Sequence, residues 1–270
     1  MNVKRVLTSL IGFPIVVVLL MFGDRIKYLM DVVFAVVAII AMHEYINCVS
    51  NKSKVISWIS YLIVASIAII HLIPAFALHF ILILSIPILL LILFMHIIVS
   101  DMSISFENIA YTLFGIMYIY CFIVFLPILY GSPGGKYLIW IVIFSAWGTD
   151  TFAYIFGCKF GKRRFSKVSP KKSIEGCVAG TIGAVLVNLI YIYCLNRFGN
   201  FGIPYFTTGV IALFLSIIGQ IGDFAASTIK RHFEVKDFGN MFPGHGGMID
   251  RIDSVMFIAP FAYFLLIVFV

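Results

Sequence analysis

Asp223, Ser227 and Lys230 follow one another at i, i+4 and i+7. On a helix this spacing sets a carboxylate, a hydroxyl and an ammonium along one face. Lys230-Arg231 is followed by Lys236-Asp237 and then by Pro243-Gly-His245-Gly246-Gly247. Asp250-Arg251-Ile-Asp253 comes next, with Asp250 and Asp253 one turn apart and facing one way. Carboxylates on two helices suit a hard divalent cation. Mg²⁺ is favoured, because it is usually held by one or two carboxylates together with phosphate oxygens. The glycines permit positive φ and exposed N–H groups, which suits close approach to an anion. The plain alternative is an Asp223–Lys230 neutralisation within one helix. Gly-His-Gly-Gly alone is a weak signal; followed by Asp-Arg-x-Asp and set against a buried Asp223, it is a strong one.

A second polar patch lies at residues 157–175. It holds seven cations and ends in Ser169-Pro-Lys171-Lys172-Ser173-Ile-Glu-Gly176. Ser169-Pro170 marks a turn, and Ser173-x-x-Gly176 opens a helix. Lys171, Lys172 and that helix N-terminus supply positive potential for phosphate. An ordinary basic loop beside a membrane explains the charge run but not this pattern. Asp150 sits about 10 Å before the loop begins and needs a cation partner at that depth.

The rest of the chain must hold these groups inside a membrane. The sequence has 270 residues, 62% of them hydrophobic and only 11% charged. A soluble domain carries roughly 25% charged residues. Apolar runs fall at 6–23, 28–48, 55–72, 76–99, 109–130, 137–156, 176–195, 206–229 and 252–270. Each approaches the ~20 residues needed to cross a bilayer. Pro74 divides the long block 55–99. The expectation is an all-α polytopic protein of about nine transmembrane helices with a cytoplasmic N-terminus. With nine crossings, every Lys and Arg except Arg25, Lys27, Lys136 and Arg197 falls on the N-terminal side, as the positive-inside rule demands.

Two regions follow from this. Residues 1–140 are membrane helices for packing or dimerisation, with Asp31, His43, Glu44 and His96 among their ionisable residues within spans. For Glu44, buried about one turn inside the membrane on the side where the other charges gather, a functional and a bland reading weigh evenly. Residues 141–270 carry the chemistry, with cytoplasmic loops at 157–175 and 230–251. Cys48, Cys121, Cys158, Cys177 and Cys194 are scattered without a C-x-x-C pair, so they read as apolar packing and not as a zinc site. The +7 net charge is pressed against the membrane, which points to anionic lipid and away from nucleic acid. The first apolar run reads as a retained helix, because it is longer than a signal-peptide core and lacks an Ala-x-Ala site.

These residues resemble the phosphatidate cytidylyltransferase (CDP-diacylglycerol synthase) family. Ser227, Lys230, Arg231, Lys236, Asp237, Pro243, His245, Gly246, Gly247, Asp250, Arg251 and Asp253 fill that family's pattern without a substitution. The 169–176 loop is also similar, with Ser173 and Ile174 where Thr and Trp are frequent. The resemblance implies CTP and phosphatidate as substrates, CDP-diacylglycerol and pyrophosphate as products, and Mg²⁺, one ion or two. It also implies an intramembrane polar cavity open to cytoplasm and lipid, and a homodimer. The short loops and single compact chain look bacterial, and with the large basic loops on the cytoplasmic side the expectation is a bacterial inner membrane with the active site facing the cytoplasm. In that reading Asp223 and Asp250 hold the metal, with Asp253 as a direct or outer ligand. Lys230 and Arg231 grip phosphates, Lys171 and Lys172 take the triphosphate tail, and Ser227 orients a phosphate oxygen. Ser169, Lys236, His245, Gly246, Gly247 and Arg251 complete the substrate-binding set.

Two other classes compete. A CTP-using lipid kinase would transfer the γ-phosphoryl group instead. A transporter would spread polar residues through the depth of several helices. Here they crowd one leaflet and the second half of the chain, which favours an enzyme.

Overall fold

A computed structural model describes residues 3–100, 104–164, 169, 172–242, 244 and 246–270, with the backbone alone for 3–11 and 75–83. Among the described residues the chain is helical and forms no strand. Ten α-helices appear there: α1 (Val3–Phe22), α2 (Leu29–Val49), α3 (Ser57–Ala65), α4 (Ala75–Val99), α5 (Phe106–Ile123), α6 (Phe125–Gly131), α7 (Gly135–Phe160), α8 (Ile174–Gly199), α9 (Tyr205–His232) and α10 (Ile249–Phe269). Each of the nine expected apolar runs falls on helix. Six stretches among the described residues are long and apolar enough to cross a membrane: α2, α5 with α6, α7, α8, α9 and α10. The large apolar side chains that remain exposed, such as Phe206 at 85% and Phe198 at 82%, face lipid rather than water in such a protein.

Prolines set the breaks. Ser66–Leu72 tightens into a 3-10 helix, and Pro74 then stands just ahead of α4. That is the division expected within 55–99. The expected run 109–130 is interrupted at Val124, between α5 and α6. Pro127 has no N–H to give to the carbonyl of Ile123, and the helix loses a rung there.

Two compact units divide the chain: residues 1–128 with 237–249, and residues 129–236 with 250–270. Segment 237–249 belongs with the first unit. In that unit α2 packs on α3 and α5 around buried Ala38, Met42 and Tyr45. The Tyr45 hydroxyl donates to the carbonyl of Tyr111 at 2.8 Å, and its ring fills the space beside Gly115. Asp31, in the first turn of α2, takes His71 Nδ1 at 2.8 Å.

In the second unit α7, α8 and α9 pack together. Small residues make the α7–α8 seam: a Cβ on Gly180 would lie 2.7 Å from the carbonyl of Thr149, and one on Gly176 would lie 2.8 Å from that of Ala153. Hydroxyls lock the three helices at one level. Thr149 Oγ1 and Ser216 Oγ are 2.6 Å apart, and Gln220 donates to Thr181 Oγ1 at 2.9 Å. Buried in a bilayer, these groups have no water to turn to, so their mutual bonds hold the helices in register.

Candidate active site

The polar seam ends just below a cluster of charge. Asp150 stands one residue after Thr149 on α7, and Asp223 one turn after Gln220 on α9. Lys172 precedes the N-cap of α8, and Asp253 lies one turn into α10. The Lys172 ammonium pairs with the Asp223 carboxylate, and it lies 4.9 Å from the centre of the Phe224 ring. Burial pulls the Lys172 ammonium down, but the carboxylates of Asp223 and Asp150 outweigh this and hold it above its ordinary value. It therefore stays protonated at neutral pH. Asp150 also feels the charges of Asp223 and Arg251, and Asp253 those of Asp223, Asp150 and Lys230.

A second pair lies beside the first. Lys230 Nζ donates to Asp250 Oδ1 at 2.6 Å, joining the end of α9 to the start of α10. Both helices run as expected, so Asp223, Ser227 and Lys230 do line one face, and Asp250 and Asp253 open α10. Lys230 finds a carboxylate across helices at Asp250, while Asp223 takes Lys172. Asp253 turns one oxygen back to the amide of Ser254 at 2.7 Å.

Ser173 caps α8, accepting from the amide of Gly176 at 3.1 Å. The amide of Ile174 donates to the carbonyl of Arg163 at 2.9 Å. The carbonyl of Ser169 accepts from the Lys172 amide at 3.1 Å. Helix α7 runs on to Phe160, three residues past Gly157, where 157–175 was expected to be loop. Gly157 packs closely beside the start of α8, since a Cβ there would lie 3.2 Å from the Ser173 hydroxyl. Asp150 accordingly lies about 15 Å from the helix end.

The first unit holds the described residues Phe242, Gly244 and Gly246. The amide of Phe242 donates to the carbonyl of Gly246 at 3.0 Å, and Gly244 and Gly246 both take φ of +81°, where glycine is required. Gly247 is buried against a different group, the carboxylate of Glu44. Glu44 accepts from the amides of Met248 at 2.7 Å and Ile249 at 3.0 Å.

Of the residues singled out from sequence, the structure joins Lys172 with Asp223 and Lys230 with Asp250. It sets Asp253 within reach of Asp223's field. Ser227 is half-buried one turn beyond Asp223, while Arg231, Lys236 and Arg251 are exposed. Lys171 and His245 lie outside the described residues. Sequence reasoning left Asp150 without a named partner and gave Glu44 no role. The depth of each carboxylate in an apolar run was the available signal.

Among the described residues no three of His, Cys, Asp and Glu converge as a closed metal cage. The donor chemistry still fits a hard dication that takes one or two carboxylates and completes its shell with water and phosphate oxygens. Asp223 and Asp250, each balanced by a lysine, are of that kind.

Comparison with known proteins places this arrangement. The profile of the Cytidylyltransferase family matches residues 3–269. A phosphatidate cytidylyltransferase of Staphylococcus aureus (strain COL) is 33% identical over 268 residues, covering 97% of this chain and 98% of that protein. The phosphatidate cytidylyltransferase of Bacillus subtilis (strain 168) is 38% identical over 167 residues, and the match spans 61% of each chain. That of Thermotoga maritima is 37% identical over 166 residues, again 61% of each. The chain thus matches about three-fifths of the length of the Bacillus and Thermotoga relatives and nearly all of the Staphylococcus one.

Proposed function

The chain belongs to the cytidylyltransferase family, and from that premise we propose that it transfers the cytidylyl group of CTP to phosphatidate, giving CDP-diacylglycerol and pyrophosphate for phospholipid synthesis. The observation that carries this reading is the pair of lysine–carboxylate contacts, Lys172–Asp223 and Lys230–Asp250, in which Lys172, Lys230 and Asp250 belong to the motifs that the family resemblance picks out and Asp223 lies one turn ahead of Ser227.

Both substrates are polyanions. Bringing a phosphatidate oxygen up to the α-phosphorus of CTP requires that their repulsion be cancelled and their approach be in line. The new bond joins the phosphatidate oxygen to the α-phosphorus, and the bond from that phosphorus to the bridging oxygen breaks. Pyrophosphate carries the electron pair away. The attacking oxygen is already ionised at neutral pH, so no general base is obligatory.

Lys172 and Lys171 bind the triphosphate tail and then the leaving pyrophosphate. Lys230 and Arg231 hold the two reacting phosphates, and Ser227 orients one of their oxygens. Arg251, Lys236 and Ser169 add to the binding of the anions. His245, Gly246 and Gly247 precede Asp250 on the chain and are assigned to the same substrates. Asp223 and Asp250, with Asp253 as a direct or outer ligand, would hold one or two Mg²⁺ ions, which when bound neutralise charge on the transferring phosphate. Asp150 belongs to the same electrostatic group and keeps Lys172 charged.

An integral membrane protein with these cationic loops fits a bacterial inner membrane, with the N-terminus and active site on the cytoplasmic side. A homodimer among membrane lipid completes the reading. The test is chemical. Purified protein given phosphatidate, CTP and Mg²⁺ should yield a lipid of the mass of CDP-diacylglycerol. No such lipid from a folded preparation would overturn the proposal.

A further inference from the structure

Glu44 lies in α2, five residues before the helix ends, and is 5% exposed. A carboxylate in a membrane span costs several kcal/mol unless it is partnered. Its partners come from about two hundred residues further along the chain. Oε1 accepts from the amide of Met248 at 2.7 Å and Oε2 from that of Ile249 at 3.0 Å. These amides open α10, where the first N–H groups have no carbonyl of their own helix to meet and the dipole favours an anion.

The glycines around it are shaped to the same carboxylate. A Cβ on Gly247 would lie 2.4 Å from Oε2, and one on Gly239 would lie 2.6 Å from Oε1. Neither glycine takes a positive φ, whereas Gly244 and Gly246 do. Gly246 is required for its backbone conformation. At Gly247 and Gly239 a side chain would run into the protein's own Glu44, so both are required for space.

Asp250 is the next residue after Ile249, and its Oδ1 takes the Lys230 ammonium. Each residue advances a helix by 100°, so a slip at the start of α10 would swing Asp250 off that partner. We propose that Glu44 is a positioning residue for cytidylyl transfer: by gripping the amides of Met248 and Ile249 it fixes where α10 begins and hence where Asp250 points. The catalytic part of this inference rests on the proposed function; the grip on the two amides does not.

The test uses the full-length protein in detergent or nanodiscs. Glu44→Ala should lower kcat by about 10- to 100-fold, the range for residues that orient a metal or phosphate ligand. Glu44→Gln keeps the shape and one acceptor and should recover part of that loss. Gly247→Ala should impair the wild type but add nothing to Glu44→Ala, because the clash is gone. Wild-type kcat in Glu44→Ala, or independent losses that multiply in the double variant, would overturn the proposal. Hydrogen exchange supplies a readout free of the reaction. Exchange at Met248 and Ile249 should quicken in Glu44→Gln, and unchanged exchange there would also overturn it. Should the wild type make no CDP-diacylglycerol, the proposed function fails while exchange still decides whether Glu44 holds α10.

Discussion

Lys230 Nζ lies 2.6 Å from Asp250 Oδ1, with the two side chains 14% and 4% exposed. The pair joins the last turn of α9 to the first turn of α10. Removing one member leaves the other charge buried, which typically costs about 3–5 kcal/mol, whereas removing both costs much less. Lys230→Met should therefore lower stability more than Lys230→Met with Asp250→Asn does. Thermal unfolding of the two single variants and the double variant checks this. Additive losses would mean the contact is not coupled.

Asp223 balances Lys172 and is proposed to hold metal. Asp223→Asn keeps the shape and removes the charge that both roles need. Turnover should fall by at least about 100-fold, while the protein still purifies as a folded membrane protein. Near-normal turnover in Asp223→Asn would reject the metal role.

Metal dependence is separable from folding. Because carboxylate–lysine pairs already balance the charges at Asp223 and Asp250, chelation with EDTA should abolish activity without lowering the unfolding temperature appreciably. Added Mg²⁺ should restore turnover. Full activity in excess chelator would contradict the assignment of Asp223 and Asp250.

The α7–α8 seam sets where Lys172 stands. A methyl group at Gly176 would meet the carbonyl of Ala153 at 2.8 Å and the Ser173 hydroxyl at 2.9 Å. Gly176→Ala should destabilise by about 1–3 kcal/mol through overpacking. It should also impair CTP binding, read as a raised KM, because the Ser173 cap and the neighbouring Lys172 must move. An unchanged KM would separate the seam from the site.

Much of this was legible in the sequence because the membrane sharpens the signals. Apolar runs gave the helices, and Pro74 gave the break in 55–99. The i, i+4, i+7 spacing put Asp223, Ser227 and Lys230 on one face, and Ser173-x-x-Gly176 announced the start of α8. What failed was local punctuation and long-range pairing. Gly157 reads as a helix end, yet it is a contact with Gly176. Pro127 breaks a run that hydropathy shows as continuous. The Lys230–Asp250 pair across two helices was not foreseen, because periodicity sees only one helix at a time. Glu44 carried the signal of a buried acid, but nothing in its neighbourhood of the chain points to amides two hundred residues on.

The most direct test of the central claim follows both ends of the nucleotide. Purified protein is given phosphatidate, Mg²⁺ and CTP labelled at the α- or the γ-phosphate. The α-label should enter the lipid phase while the γ-label leaves as pyrophosphate. The γ-label entering lipid, with diacylglycerol or a polyprenol as acceptor, would make the protein a kinase and contradict cytidylyl transfer. Neither label reaching lipid in a folded preparation would contradict it equally.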